Sequence, residues 1–202
     1  MPDKNSESVL FLYEGATEIE FYSKIFKKYL PRRKIMIDHS NLGGVHNLNQ
    51  KVKRKILRYL AKKKEANSIH VIIAHDREGR RYKKSALNLE LLLSDEEIMI
   101  TGRVTNIREI IATQDIESWF FKDIEGIYRF LKVPKSKRSN KYKNSEAWNN
   151  RDLSKLFHRF NRHYQKGSRV EGFVSKLDLE KIYNKTPELT EIIAYIKNLI
   201  SD

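Results

Sequence analysis

At 202 residues, 40% hydrophobic and 33% charged, the chain is long enough for one domain with a sizeable core, and its composition excludes intrinsic disorder. It has no cysteine, which excludes disulfides and thiolate metal sites and suits a reducing cytoplasm, and its apolar runs, about five residues at most, are too short to span a bilayer. The net charge of +14 is concentrated: residues 31–64 carry eleven Lys/Arg against one acid and residues 129–169 thirteen against two, leaving the remainder at −7. Two basic segments around an acidic remainder point to a polyanion touching two surfaces beside an acidic site; a solubilising positive face is the plainer alternative.

The start, MPDKNSES, lacks the basic-then-apolar order of a signal peptide. Residues 9–13, VLFLY, then form an apolar, strand-favouring run. Glu14 and Gly15 follow at once, and the spacing of Thr17 and Glu20 predicts a capping box for a helix with Ile19, Tyr22, Ile25, Phe26 and Tyr29 inward. Residues 34–38 read as a second strand from Lys34, and Asn41 to Gly44 as the turn after it. From Val45 the helical period returns, with Val52 and Ile56 on one face and Lys51, Arg54, Lys55 and Arg58 on the other. Residues 68–74 predict the clearest buried strand, which runs into His75-Asp76-Arg77-Glu78-Gly79-Arg80-Arg81.

A helix is expected over 85–95 from Ser85, and a strand near 107–113. Asp115 and Glu117 fall in the first turn of a helix that keeps Ile116, Trp119, Phe120, Ile124, Ile127 and Leu131 inward, a position that favours acids even without a function. Residues 133–150 read as a basic loop, Leu153 to Tyr164 as an amphipathic helix, and 177–183 and 187–200 as two closing helices. The expected architecture is an α/β, Rossmann-like, mostly parallel sheet flanked by helices. Residues 1–131 would be the core, and 132–202 a basic loop and helical C-terminal extension packed on it.

Strands that end in acids place carboxylates at the carboxyl edge of a sheet, where open α/β folds bind ligands. Asp76 and Glu78, two apart in an extended segment, would share one face, and their hard oxygens suit Mg²⁺ or Mn²⁺. A charged loop pairing these acids with the neighbouring arginines is the plainer reading. The six histidines show no metal-ligand spacing.

A glutamate after one strand and an acidic pair after another resembles the Toprim pattern: Glu14 to Glu18, EGATE, is similar to its glutamate motif, and Asp76-Arg77-Glu78 to its Asp-x-Asp motif with Glu in second place. Glu117-Ser118-Trp119-Phe120-Phe121-Lys122-Asp123 and the ending from Lys176 to Leu189 resemble a family of small bacterial and archaeal Toprim-like proteins. In site logic the chain is also similar to the Toprim half of overcoming-lysogenization-defect nucleases and to ribonuclease M5-type enzymes. The resemblance implies a metal-dependent nuclease acting on DNA or RNA, in nucleic-acid processing or phage defence. Asp76 and Glu78 would hold Mg²⁺ or Mn²⁺, with Glu14 as a further ligand or general base. Asp115 or Glu117 would complete a second site, and Lys176 would neutralise phosphate charge.

Nucleic-acid contacts are expected from Lys51, Arg54, Lys55, Arg58, Arg80, Arg81, Lys137, Arg138 and Lys141. The chain carries no P-loop, so any ATPase partner is a separate polypeptide. The first rival reading is a Toprim-derived module that binds nucleic acid or a partner without cutting. A primase-type nucleotidyl transferase ranks behind it, and a topoisomerase has no room for strand-passage domains.

Overall fold

The structure, a computed structural model, describes residues 7–31, 35–44, 46–77, 87–143 and 148–201. Lys34, Val45 and Ser85, which open expected elements, lie outside the described residues, as do Glu78, Arg80 and Arg81 of the expected site.

The first strand, β1 (Glu7–Tyr13), is buried along almost its whole length. Its period of two explains why: Val9, Phe11 and Tyr13 enter one apolar core while Leu10 and Leu12 enter another on the opposite face. Helix α1 (Ala16–Tyr29), strand β2 (Met36–Asn41), helix α2 (Leu48–Lys62) and strand β3 (Ser68–Asp76) follow. Two short helices, α3 (Leu89–Leu93) and α4 (Glu96–Met99), precede β4 (Val104–Ala112). The sheet order is β2-β1-β3-β4 and every pairing is parallel, so the expected α/β Rossmann-like architecture holds and tightens from mostly to wholly parallel.

Parallel register brings the strand ends to one edge. Tyr13 lies level with Ala74, and Asp76 with Ala112, so Glu14 and Asp76 leave the sheet side by side. The chain after β4 forms α5 (Ile116–Phe120), a 3-10 turn (Phe121–Asp123) and α6 (Ile124–Phe130). The helix expected to run unbroken through this stretch breaks at Asp123. That side chain, only 1% exposed, accepts the backbone N–H of Asp178 at 2.8 Å and faces Lys181 at 3.3 Å.

Helices α7 (Asn150–Arg159), α8 (Glu171–Val174), α9 (Leu179–Asn184) and α10 (Pro187–Ser201) complete the C-terminal part. Leu153, Phe157, Phe173 and Ile193 share one continuous core with Val9, Phe11 and Phe21, so this extension is packed directly on the sheet's α1 side. Aromatic contacts dock α5 on α1, with Phe21 and Phe120 centroids 5.6 Å apart and Tyr22 meeting Trp119 edge-on at 6.3 Å.

Two further expectations, one loop and one helix, need correction. Within 133–150, short 3-10 turns form at Lys135–Lys137 and Asn140–Lys143, because Tyr142 is buried and stacks on Phe121 at 5.7 Å. The helix expected to reach Tyr164 ends at Arg159, where the chain turns back through Asn161 at φ 54°. No helix among the described residues is long and apolar enough to cross a membrane.

Candidate functional site

The carboxyl edge of the sheet gathers five carboxylates. Glu14 leaves β1 and its Oε2 accepts the backbone N–H of Asp76 at 3.1 Å, tying two neighbouring strand ends together. Asp76 in turn accepts the backbone N–H of Ile116 at 3.0 Å, which draws the start of α5 over the edge. Asp115 caps α5 by accepting the Ser118 N–H at 3.1 Å, and its other oxygen accepts the Asn150 N–H at 2.8 Å, anchoring α7 to the same place. Glu117 is fully buried; its Oε1 accepts the Tyr164 hydroxyl at 2.9 Å and lies 3.4 Å from Lys166 Nζ. The fifth acid, Glu18, is 7% exposed on the first turn of α1.

The start of α1 explains Glu18. The helix begins two residues earlier than the predicted capping box, with Gly15 at the N-cap and no side chain capping it. Glu18 therefore occupies the third helical position, and a Cβ added at Gly15 would stand 3.0 Å from its Oε2, so the carboxylate curls back over the helix start. Thr17, read as the cap, instead accepts the backbone N–H of Gly167 at 2.9 Å, pinning the loop that carries Tyr164 and Lys166.

Charge here is poorly compensated. Burial holds the Asp76 carboxyl well above the usual carboxylate range, and Glu18, Glu14, Glu117 and Asp115 add repulsion. Burial also pushes Glu18 up to about 7 against the pull of its own backbone N–H, with Glu117 and Glu14 adding to the rise. Asp115 and Glu117 are raised by burial too, partly offset at Asp115 by the Asn150 N–H and at Glu117 by Lys166. Burial works against the Lys166 ammonium, yet Glu117, Asp76 and Asp115 outweigh it and hold its pKa above the ordinary value. Carboxylates gathered in one place resist ionising together, and a single ammonium, Lys166, is shared among three of them. Oε2 of Glu117 is also buried with no hydrogen-bond partner. Hard oxygens, surplus negative charge and an orphaned buried acceptor are the chemistry a small divalent cation satisfies. Among the described residues no three His, Asp or Glu side chains are grouped so that they could hold a metal ion.

Of the expected site residues, Glu14, Asp76, Asp115 and Glu117 come together and Glu78 lies outside the described residues. Lys176 is exposed after α8 and makes no ion pair with these acids among the described residues; Lys166 stands there instead. Glu18, Tyr164 and Lys166 were missed by sequence reasoning. His75 Nε2 meets Glu109 at 2.9 Å, in keeping with a satisfied strand-end residue. Lys51 donates to the carbonyls of Gly43 and Gly44 at 2.8 and 3.1 Å, holding the turn after β2, while Arg54 and Arg58 are exposed and Lys55 is half-buried. Lys137 and Lys141 are exposed, and Arg138 pairs with Glu125.

The raised Glu18 makes a stability prediction. Folding moves its pKa from 4.5 to about 7, so the folded state holds more protons than the unfolded one inside that window. Its cost is absent below the lower value, grows as pH rises, and levels above the upper value at on the order of 3 kcal/mol. Glu18→Gln is expected to exceed wild type in urea-denaturation stability at pH 8, by up to about 3 kcal/mol, with the gap closing towards pH 4.5. A gap independent of pH would show that Glu18 is not strained by its charge.

The family model described as a domain of unknown function, DUF4276, matches residues 13–197, so the chain belongs to that family. No curated protein matches it.

Proposed function

We propose that this DUF4276 protein is a divalent-cation-dependent nuclease of Toprim type, hydrolysing phosphodiester bonds in DNA or RNA. The observation that carries the reading is the cluster of buried Glu18 and Glu117 with half-buried Glu14, Asp76 and Asp115, gathered at the carboxyl edge of a parallel sheet. Glu14 and Asp76 are the residues to hold Mg²⁺ or Mn²⁺, with Asp115, Glu117 and Glu78 as further ligands. The free Oε2 of Glu117 supports that use, since an unpaired buried acceptor costs about 1–3 kcal/mol that a cation would relieve. When bound, the ion supplies Lewis acidity and a water ionised near neutral pH.

The chain's own groups have separate tasks. Asp76 fixes the start of α5 through the Ile116 N–H, so the acids of β3 and α5 keep one spacing. Lys166 supplies fixed positive charge at the mouth of the cluster, with its side chain half exposed, where negative charge on a phosphoryl oxygen would be stabilised. Tyr164, donating to the same carboxylate oxygen, orients Glu117 for Lys166.

The test is incubation of labelled DNA and RNA, single- and double-stranded, with Mn²⁺, Mg²⁺ or EDTA. Cleavage with Mn²⁺ or Mg²⁺ and none with EDTA is expected; intact substrate throughout would overturn the nuclease reading. The open arrangement of the described acids favours one rival, a module that binds nucleic acid or a partner but no longer cuts. Salt-sensitive binding with no cleavage would select it.

A further inference from the structure

We infer that the phosphate backbone of a nucleic-acid strand enters at a basic cleft on the C-terminal extension and follows the segment after α7 to the acid cluster. This rests on the nuclease reading and moves the main contact surface away from α2. The cleft is open, about 830 Å³, and lies between the turn at 131–139 and the end of α7. Lys132, Lys137, Arg138 and Arg159 line it and no acid does. Among the described residues Lys132, Lys137 and Arg159 have no ion pair, while Arg138 is held by Glu125. Half-buried Phe160 offers an aromatic surface beside them.

Connectivity joins the cleft to the acids. Helix α7 starts at the site, where the Asn150 N–H bonds Asp115, and ends at the cleft with Arg159. Its ten residues span about 14 Å, roughly two phosphate steps of an extended strand. The chain then returns to the site, where Tyr164 and Lys166 meet Glu117. No acid occurs between Asp152 and Glu171, while Arg159, Arg162, His163 and Lys166 mark the way back. A strand on this track would meet mainly cations, with Glu125 at the cleft already engaged by Arg138, before it reaches the cluster of carboxylates where cleavage is proposed.

The α2 face is the competing surface, and part of its charge is already used. Lys51 bonds two loop carbonyls, Lys53 pairs with Asp95 at 2.8 Å and Glu97 at 3.1 Å, and Lys63 pairs with Asp38 at 3.2 Å. Arg54, Arg58, Lys62 and Lys64 remain exposed there.

The experiment measures fluorescence anisotropy of a fluorescein-labelled 20-nucleotide single strand and its duplex, in EDTA so that cleavage cannot intervene. Wild type, Lys137→Glu/Arg159→Glu and Arg54→Glu/Arg58→Glu are compared across salt, with melting temperatures as the control for folding. The cleft pair is expected to weaken binding at least about tenfold at 0.15 M salt and to flatten the log–log salt slope by about 2, while the α2 pair costs under about threefold. Should the reversed cleft pair melt early, Lys137→Ala/Arg159→Ala must still weaken binding more than Arg54→Ala/Arg58→Ala. An equal or larger loss from the α2 pair overturns the track and leaves the nuclease reading standing. A wild type that binds neither probe overturns both.

Discussion

Asp76→Asn is expected to abolish metal-dependent cleavage, by at least about 10³-fold or roughly 4 kcal/mol of transition-state stabilisation. Asp76 ends the central strand β3, faces four other carboxylates, and offers Oδ1 to the Ile116 N–H at 3.0 Å. Asparagine keeps that acceptor, so the start of α5 stays in place; what goes is the charge a hard cation requires. Removing one member of a repelling cluster leaves the fold as stable or more stable at pH 8, because Asp76 is held well above its ordinary pKa by burial and by its neighbours. Nucleic-acid binding persists or tightens, since one negative charge facing phosphate is gone. Cleavage rate, melting temperature and anisotropy together separate this outcome from unfolding. Wild-type cleavage by a nuclease-free preparation of Asp76→Asn would place the active site elsewhere.

Lys166→Met is the second large effect, a loss of about 10²–10³-fold in cleavage. Its ammonium is drawn to Glu117, Asp76 and Asp115, and it leads from the loop pinned by the Gly167–Thr17 hydrogen bond. Methionine keeps much of the stem but removes the ammonium that compensates buried Glu117, so melting temperature should fall together with cleavage, and the rate is compared well below the transition; Lys166→Arg should restore part of both. Lys176→Met, on the exposed turn after α8, should stay within about twofold of wild type. A loss at Lys176 with none at Lys166 would reverse the assignment. Glu117→Gln is expected to cost less than Asp76→Asn, because Glu117 is a further ligand and its partner Tyr164 can still donate to an amide oxygen.

The strands were legible because burial on both faces leaves uninterrupted apolar runs at 9–13 and 68–74 and a turn or acid directly after each. Parallel pairing then carries Glu14 and Asp76 to one edge without further information. Glu18 was within reach of the sequence, since it follows Glu14 by four residues. The Thr17–Glu20 spacing fitted a capping rule better than the bare Gly15 N-cap that forms, which shifted the helix start by two residues. Tyr164 and Lys166 had no local signal. They reach Glu117 only because α7 stops at Arg159, the chain turns back through Asn161, and Gly167 bonds Thr17 across 150 positions of sequence. The basic surface was visible as composition, but which cations are internally paired depends on turns that the folded backbone makes, as where Lys51 meets a carbonyl eight residues back and Arg138 an acid thirteen residues back.

The cation-holding role of the acid cluster is tested most directly by the electron paramagnetic resonance signal of free Mn²⁺, titrated with protein in the absence of nucleic acid. Wild type should deplete the free-ion signal in a saturable way. Asp76→Asn should leave most of the added Mn²⁺ free at the same protein concentration, with a melting temperature no lower than that of wild type. Depletion by Asp76→Asn equal to wild type, or no depletion by wild type up to millimolar Mn²⁺, would contradict a metal centre at this edge of the sheet.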